Sequence, residues 1–113
     1  MITASFSKNV KLFEASLTVK GHAGQAEVGK DIICSAASIL TYTLAQVVRS
    51  NEYRLKERPV IDLEEGDAVI SCKCADKWTF TKVLRAFEFA EIGYSLLKHN
   101  YPQFVDLKPF ETE

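Results

Sequence analysis

A strict alternation of apolar and polar side chains over residues 13–20 constrains the fold of this chain more than any other feature. The apolar positions are Phe13, Ala15, Leu17 and Val19, and the polar positions between them are Glu14, Ser16, Thr18 and Lys20. A period of two predicts a β-strand with one buried and one solvated face. Residues 2–6 alternate in the same way, and Lys8 and Asn9 suit a turn. We therefore predict an N-terminal β-hairpin.

The pattern changes from strand to helix after a glycine-containing break at residues 21–30. Asp31 suits the N-cap position of a helix, because its carboxylate can accept from unpaired backbone N–H groups. Apolar residues then recur at steps of three and four, at Ile33, Ala37, Leu40, Leu44, Val47 and Val48. This spacing predicts an amphipathic helix of about five turns that ends near Asn51.

The second half of the sequence repeats the order strand, strand, helix. Strands are predicted near residues 60–63 and 68–73, with a turn between them, and a helix from about Lys77 to Asn100. The tail, residues 103–113, is predicted to be irregular or loosely docked. The expected fold is a single α+β domain over residues 1–113, a two-layer sandwich in β-β-α-β-β-α order. Two helices cover a four-stranded, mostly antiparallel sheet.

Composition limits the classes of partner. The net charge is −1 and 26% of residues are charged, which predicts no nucleic-acid or anionic-membrane partner. No apolar run approaches the roughly 20 residues that span a bilayer, and the N-terminus lacks a signal-peptide pattern. We expect a cytoplasmic protein. Its three cysteines are an odd number, which argues against a disulfide framework.

One of the two histidines, His22, stands 12 residues before Cys34. With Asp31 as N-cap, Cys34 would be the third helical residue, close to backbone N–H groups that lack a helical partner. The positive end of the helix dipole and a nearby imidazole both favour a thiolate. The same N–H groups can bind an oxyanion. The sequence thus predicts an activated cysteine nucleophile with His22 as its base.

Neighbouring residues fit the same hypothesis. Gly21, Gly24 and Gly29 predict a loop that admits a peptide and then closes over it. Ser38 follows Cys34 by one helical turn, so its hydroxyl can face the site. Asp31 has two alternative roles, as the helix cap or as the group that orients His22.

A plainer interpretation is that Cys34 is a small buried residue, His22 a solvated loop residue, Asp31 a cap and Ser38 a packing residue. Cys72 and Cys74 share one strand face and suggest a zinc or redox site, but zinc needs about four ligands. The only other histidine is His99. We therefore expect neither a metal nor another cofactor.

The residues around the pair resemble a known family. Gly21-His22-Ala23 is followed by Gly29, then by Asp31-Ile32-Ile33-Cys34 and Ala36-Ala37-Ser38. This pattern is similar to that of the ribosomal-processing cysteine protease family, Prp. In that family a Gly-His-Ala and a short variable loop precede Gly-x-Asp-Ile-Val-Cys-Ala-Ala-x-Ser. The chain departs from the pattern at Ile33 and Ser35, where valine and alanine are usual.

The resemblance implies a homodimeric cysteine endopeptidase with His22 and Cys34 as its catalytic pair, a two-layer α+β fold and a mobile loop between the pair. It also implies a peptide or protein substrate with an N-terminal extension. Family members trim a protein of the large ribosomal subunit, cutting after a phenylalanine, and phage relatives point to a phage structural protein instead. A non-catalytic peptide-binding module of the same fold is the alternative.

A second apolar line on each helix gives the dimer a candidate surface. Phe89, Gly93 and Leu96 lie outside the predicted core stripe of the second helix, and Ile39 and Tyr42 lie outside that of the first. We expect these residues to contact the C-terminal tail or a partner subunit.

Overall fold

The computed structural model describes residues 1–22 and 28–111, with the backbone alone at 28–31. Two helices and five strands occupy these residues. In chain order they are β1 (Ile2–Asn9), β2 (Glu14–Lys20), α1 (Val28–Ser50), β3 (Val60–Glu64), β4 (Asp67–Lys73), α2 (Lys77–Asn100) and β5 (Val105–Lys108). A short 3-10 turn, Glu52–Arg54, follows α1.

The five strands form one mixed sheet in the order β3-β4-β2-β1-β5. The two predicted hairpins are present, since β1 pairs antiparallel with β2 and β3 pairs antiparallel with β4. The halves join through β2 and β4, which are antiparallel with Leu17 opposite Ile70. This arrangement places the end of β2 beside the turn between β3 and β4.

The prediction of a four-stranded sheet with an irregular tail is wrong. After α2 the chain turns back, and β5 adds to the outer edge of β1 as a parallel strand, with Ile2 opposite Val105. The Ile2 N–H donates to the Phe104 carbonyl oxygen at 2.8 Å. Without β5, the outer edge of β1 would expose unpaired backbone groups, and Val105, only 1% exposed, would not join the core.

Both helices pack against one face of the sheet, so the two-layer α+β architecture is as predicted. The core lies between the layers, where inward-facing strand residues such as Leu17 and Ile70 meet Ile33 and Val48 of α1 and Phe87 of α2. α2 has the predicted bounds, and the Asp76 carboxylate caps it by accepting from the Thr79 N–H at 2.8 Å.

Helix α1 begins at Val28, three residues before Asp31. Asp31 is therefore a first-turn residue and not the N-cap, and Gly29 lies inside the helix instead of before it. An acidic residue is favourable at either position, because both are near the positive end of the helix dipole. The sequence pattern alone does not distinguish an N-cap aspartate from one in the first helical turn.

By length and composition alone, Ile32–Ser50 of α1 is apolar enough to cross a membrane, a property that core helices of soluble proteins share. Its buried residues, among them Ile33, Leu44 and Val48, belong to the core between the layers. Serine, threonine and glutamine interrupt the apolar residues of this segment.

Candidate active site

A cleft of about 250 Å³ opens where β2 ends and α1 crosses the turn between β3 and β4. Four of the residues singled out in the sequence line it: Gly21, His22, Cys34 and Ser38. The fold thus brings the histidine and the cysteine to one cavity. Gly24 lies outside the described residues, and of Gly29 and Asp31 only the backbone, inside α1, is described.

The segment that carries His22 is fixed to the sheet by Gly21. The Gly21 N–H donates to the Gly66 carbonyl oxygen at 2.9 Å, which continues the β2–β4 pairing by one residue. Gly21 has a φ of 94°, and a Cβ there would overlap the carbonyl oxygen of Met1. Any other residue would therefore move the chain on which His22 stands.

The imidazole of His22 lies directly against Gly66, in the turn between β3 and β4. A Cβ at Gly66 would come within 2.5 Å of His22 Nε2 and 2.6 Å of Cε1. Gly66 also has a φ of 77°, in the left-handed region that the turn requires. The sequence identifies Gly66 as a turn residue, but the contact with His22 depends on two segments that are more than 40 residues apart.

Cys34 is partly buried and is the seventh residue of α1, so it lies in the second helical turn. The prediction that it is the third helical residue is wrong. Its N–H lies at a position where the helix supplies an acceptor four residues earlier, and the dipole effect falls off within the first turn. Cys34 therefore lies outside the first turn, where the unpaired N–H groups and the helix dipole were expected to act on it. His22 is the basic side chain that lines the cleft together with Cys34.

A pair of buried hydroxyl groups lies deeper in the cleft. Thr41 Oγ1 and the Tyr94 hydroxyl oxygen are 2.7 Å apart, and they lie 2.9 and 3.1 Å from the carbonyl oxygen of Ala37, so two hydroxyl protons are shared among these three oxygens. Burial raises the pKa of Tyr94 to about 12, so this phenol stays protonated at neutral pH. The pair joins α2 to the turn of α1 that follows Cys34, on the face that also carries Ser38.

The rim opposite α1 is acidic. Glu64, Glu65 and Asp67 line the cleft beside His22, and apolar groups such as Ile2 and Leu63 complete the wall. Asp67 pairs with Lys20 at 3.6 Å, with both side chains more than half exposed. The cleft therefore presents apolar and anionic surface to a bound chain. Sequence reasoning missed these residues, because the turn carries no catalytic motif.

Cys72, in β4, and Cys74, just after the end of β4, do not line the cleft. Cys72 and Cys74 are buried among core residues, and desolvation raises the pKa of the Cys72 thiol to about 12. These thiols are therefore protonated and inert at neutral pH. Over residues 1–22 and 28–111, no group of three or more histidine, cysteine, aspartate or glutamate side chains is placed to hold a metal ion.

Similarity to solved structures extends over the whole fold. A protein from Streptococcus mutans is 28% identical, with a TM-score of 0.69 over 100% of this chain and 96% of that one. The essential ribosomal processing protease Prp of Staphylococcus aureus, solved with a covalently linked product peptide, is 20% identical. Its TM-score is 0.71, over 98% of this chain and 100% of that one.

The same protease solved with a substrate peptide is 18% identical in the alignment, with a TM-score of 0.69. None of the curated proteins compared with the chain matches it significantly. The family model for cysteine protease Prp matches residues 1–106, which includes both hairpins, both helices and the cleft. The chain therefore belongs to the cysteine protease Prp family.

Proposed function

We propose that this protein is a cysteine endopeptidase in which Cys34 is the nucleophile and His22 the general base. The observation that carries the proposal is the cleft of about 250 Å³ that His22, Cys34 and Ser38 line together in a chain of this protease family. The other two cysteines are buried away from this cleft.

In the proposed mechanism, His22 takes the proton from Cys34, and the thiolate attacks the scissile carbonyl carbon. A carbon–sulfur bond forms and the carbonyl oxygen becomes an oxyanion. His22 then gives its proton to the leaving amine as the peptide bond breaks, and water hydrolyses the thioester to regenerate the thiol. Ser38, one turn along α1, is the side chain in the cleft that we assign as a supporting hydrogen-bond donor. The role of Asp31 as the partner of His22 is part of the same proposal.

The test is cleavage of a phenylalanine-containing peptide by the wild type and by Cys34→Ala and His22→Ala. We expect both variants to lose activity by at least 100-fold, a size typical of removing a nucleophile or base. His99→Ala is the matched control, since His99 is the other histidine and lies exposed at the end of α2. Undiminished turnover by Cys34→Ala would overturn the assignment.

The rate of alkylation distinguishes the endopeptidase from the alternative, a non-catalytic peptide-binding module. A catalytic Cys34 should react rapidly with iodoacetamide near neutral pH, and His22→Ala should slow that reaction. A slow reaction that does not depend on His22 would favour the binding module. Cys72 and Cys74 do not interfere, because both are buried and their thiols have raised pKa values.

For the substrate, we propose a protein whose N-terminal extension binds in the cleft as an extended segment. The Staphylococcus aureus relative is described as a ribosomal processing protease and was solved with substrate and product peptides. A precursor of a large-subunit ribosomal protein is thus the first candidate, and a phage structural protein the second. Mass spectrometry of each precursor after incubation with the enzyme identifies which one is shortened and at which bond.

We also propose that the protein is a cytoplasmic homodimer. The surface we assign to the dimer is the outer side of the helical layer, where apolar side chains are 48–65% exposed. They are Ile39 and Tyr42 of α1 and Phe89, Ile92 and Leu96 of α2. The described part of the tail leaves them exposed: Phe110 packs on Phe6 with ring centroids 5.3 Å apart, and its N–H donates to the Glu91 carboxylate of α2. Free thiols at Cys34, Cys72 and Cys74 support a reducing compartment.

A further inference from the structure

Two aromatic rings are exposed at the end of the molecule remote from the cleft. Tyr53, in the 3-10 turn, is 77% exposed and Trp78, in the first turn of α2, is 62% exposed. Backbone pairing holds the two segments together, because Leu55 pairs with Cys74 and the Ala75 N–H donates to the Arg54 carbonyl oxygen at 3.1 Å. The rings therefore stand on a fixed surface.

Two cations lie over these rings. The guanidinium carbon of Arg54 is 5.3 Å from the centroid of the Tyr53 ring and 5.4 Å from that of Trp78. Lys82 Nζ is 4.8 Å from the Trp78 centroid. We call Tyr53, Arg54, Trp78 and Lys82 the aromatic patch. Because the guanidinium lies over both rings, their faces are accessible to another flat, π-bonded group.

The two chain segments that carry the aromatic patch are cationic in sequence. Residues 52–58 and 76–82 carry five cationic side chains, Arg54, Lys56, Arg58, Lys77 and Lys82, against three carboxylates. One of these, Asp76, is engaged as the cap of α2. The four salt bridges found in the described part of the chain use other cations. The net charge of −1, from which no nucleic-acid partner was predicted, does not reflect this local surplus of two positive charges.

We propose that the aromatic patch binds single-stranded nucleic acid. Bases stack on the faces of Tyr53 and Trp78, while Arg54 and Lys82 leave the rings and contact the phosphates. Exposed aromatic rings beside cations are the arrangement that proteins use for single strands without sequence preference. The carboxylates of an acidic peptide could pair with the cations, but they do not stack on aromatic rings as bases do.

The site is independent of the cleft. Helix α1 separates them, and Ser50 lies 16 helical rises of about 1.5 Å after Cys34, a distance of about 24 Å along the helix. A strand bound at the aromatic patch therefore leaves the cleft open. The proposal goes beyond the endopeptidase activity and does not depend on it.

Trp78 is the only tryptophan in the chain, so its fluorescence reports directly on the aromatic patch. We expect a 12-nucleotide oligouridylate to quench it saturably at low ionic strength. The affinity should fall linearly with salt on logarithmic axes, because cations on the protein displace counterions from the phosphates. No quenching would overturn the proposal. Equal binding of a duplex, or equal competition by polyglutamate, would also overturn it.

Substitutions in the aromatic patch test whether the oligonucleotide binds there. Arg54→Glu and Lys82→Glu keep the tryptophan, and each should weaken the affinity at least tenfold. Tyr53→Ala should weaken it without changing the charge, which tests stacking. Lys108→Glu on β5 makes the same charge change on another element and should bind like the wild type. Equal losses in Lys108→Glu and Arg54→Glu would overturn the proposal. Peptide cleavage by Arg54→Glu should be unchanged, so the two activities are tested separately.

Discussion

At the scale of single residues, two glycines position His22: Gly21 holds its backbone against the sheet, and Gly66 lies against its imidazole. The space against which the imidazole rests exists because Gly66 has no side chain. The turn also requires a positive φ at this residue. Gly66 is thus required for two reasons: the turn needs a positive φ, and the His22 imidazole needs the space that a side chain would fill.

Gly66→Ala should therefore reduce peptide cleavage at least tenfold, because the new methyl group displaces the His22 ring. It should also cost about 1 kcal/mol of stability, since alanine is strained at positive φ. Initial rates and urea unfolding measure the two effects. Gly93→Ala is the control, because a Cβ there crowds Leu40, away from His22. Equal activity in the two variants, at similar stability, would contradict a specific role for Gly66.

The buried Cys72 thiol and Tyr94 phenol predict how the stability of the fold changes at alkaline pH. Burial raises the pKa of Cys72 from 9.0 to about 12 and that of Tyr94 from 10.0 to about 12. Both groups bind their protons more tightly in the folded state. Their stabilising contribution is thus complete below pH 9 and is lost as the pH rises from about 9 to about 12.

We expect the free energy of unfolding, from urea titrations followed by circular dichroism, to fall over this range. Tyr94→Phe should flatten the fall above pH 10, and Cys72→Ala should flatten it above pH 9. At pH 7, Tyr94→Phe should cost about 1 kcal/mol through the lost hydrogen bonds to Ala37 and Thr41. An unchanged slope in both variants would contradict the buried, protonated state of these groups.

At the scale of secondary-structure elements, β5 decides the shape of the sheet. Four residues suffice, because Val105 enters the core while the backbone pairs with β1. The tail contains the alternation of a strand, but four residues are too few for a period of two to stand out. Its pairing depends on an edge that only the folded sheet creates.

Val105→Ala should lower the free energy of unfolding by about 2 kcal/mol, the cost of removing two buried methyl groups and leaving a small cavity. Lys108→Ala, at the exposed end of the same strand, should change it by less than about 0.5 kcal/mol. Urea unfolding compares the two. Similar values would mean that β5 contributes to the sheet through its backbone alone.

At the scale of the whole molecule, the cleft and the apolar outer surface lie on connected parts of the helical layer. Tyr42 belongs to both, because it lines the cleft and is 48% exposed. In the proposed dimer, the partner subunit would therefore lie close to the entrance of the cleft.

Phe89→Glu should convert the proposed dimer to a monomer, because it introduces a charge into the apolar surface. Sedimentation velocity at micromolar concentration measures the change. Gln103→Glu adds the same charge at an exposed residue after α2 and should sediment like the wild type. A wild-type protein that is monomeric at this concentration would contradict the dimer.

The sequence by itself determined the local structure and selected the candidate site residues. Period-two and period-3.6 patterns predicted four strands and both helices, because local alternation reflects which face of an element is buried. His22, Cys34 and Ser38 were selected by residue type and spacing, and the fold places all three on one cleft.

Only the tertiary structure decided what depends on contacts between distant segments. The addition of β5 to β1, the contact of His22 with Gly66 and the hydrogen bonds of Tyr94 with α1 each join residues from separate elements. The same holds for the aromatic patch, in which Arg54 lies over Trp78. Local sequence periodicity does not record such pairs, because they form only when the helices have packed on the sheet.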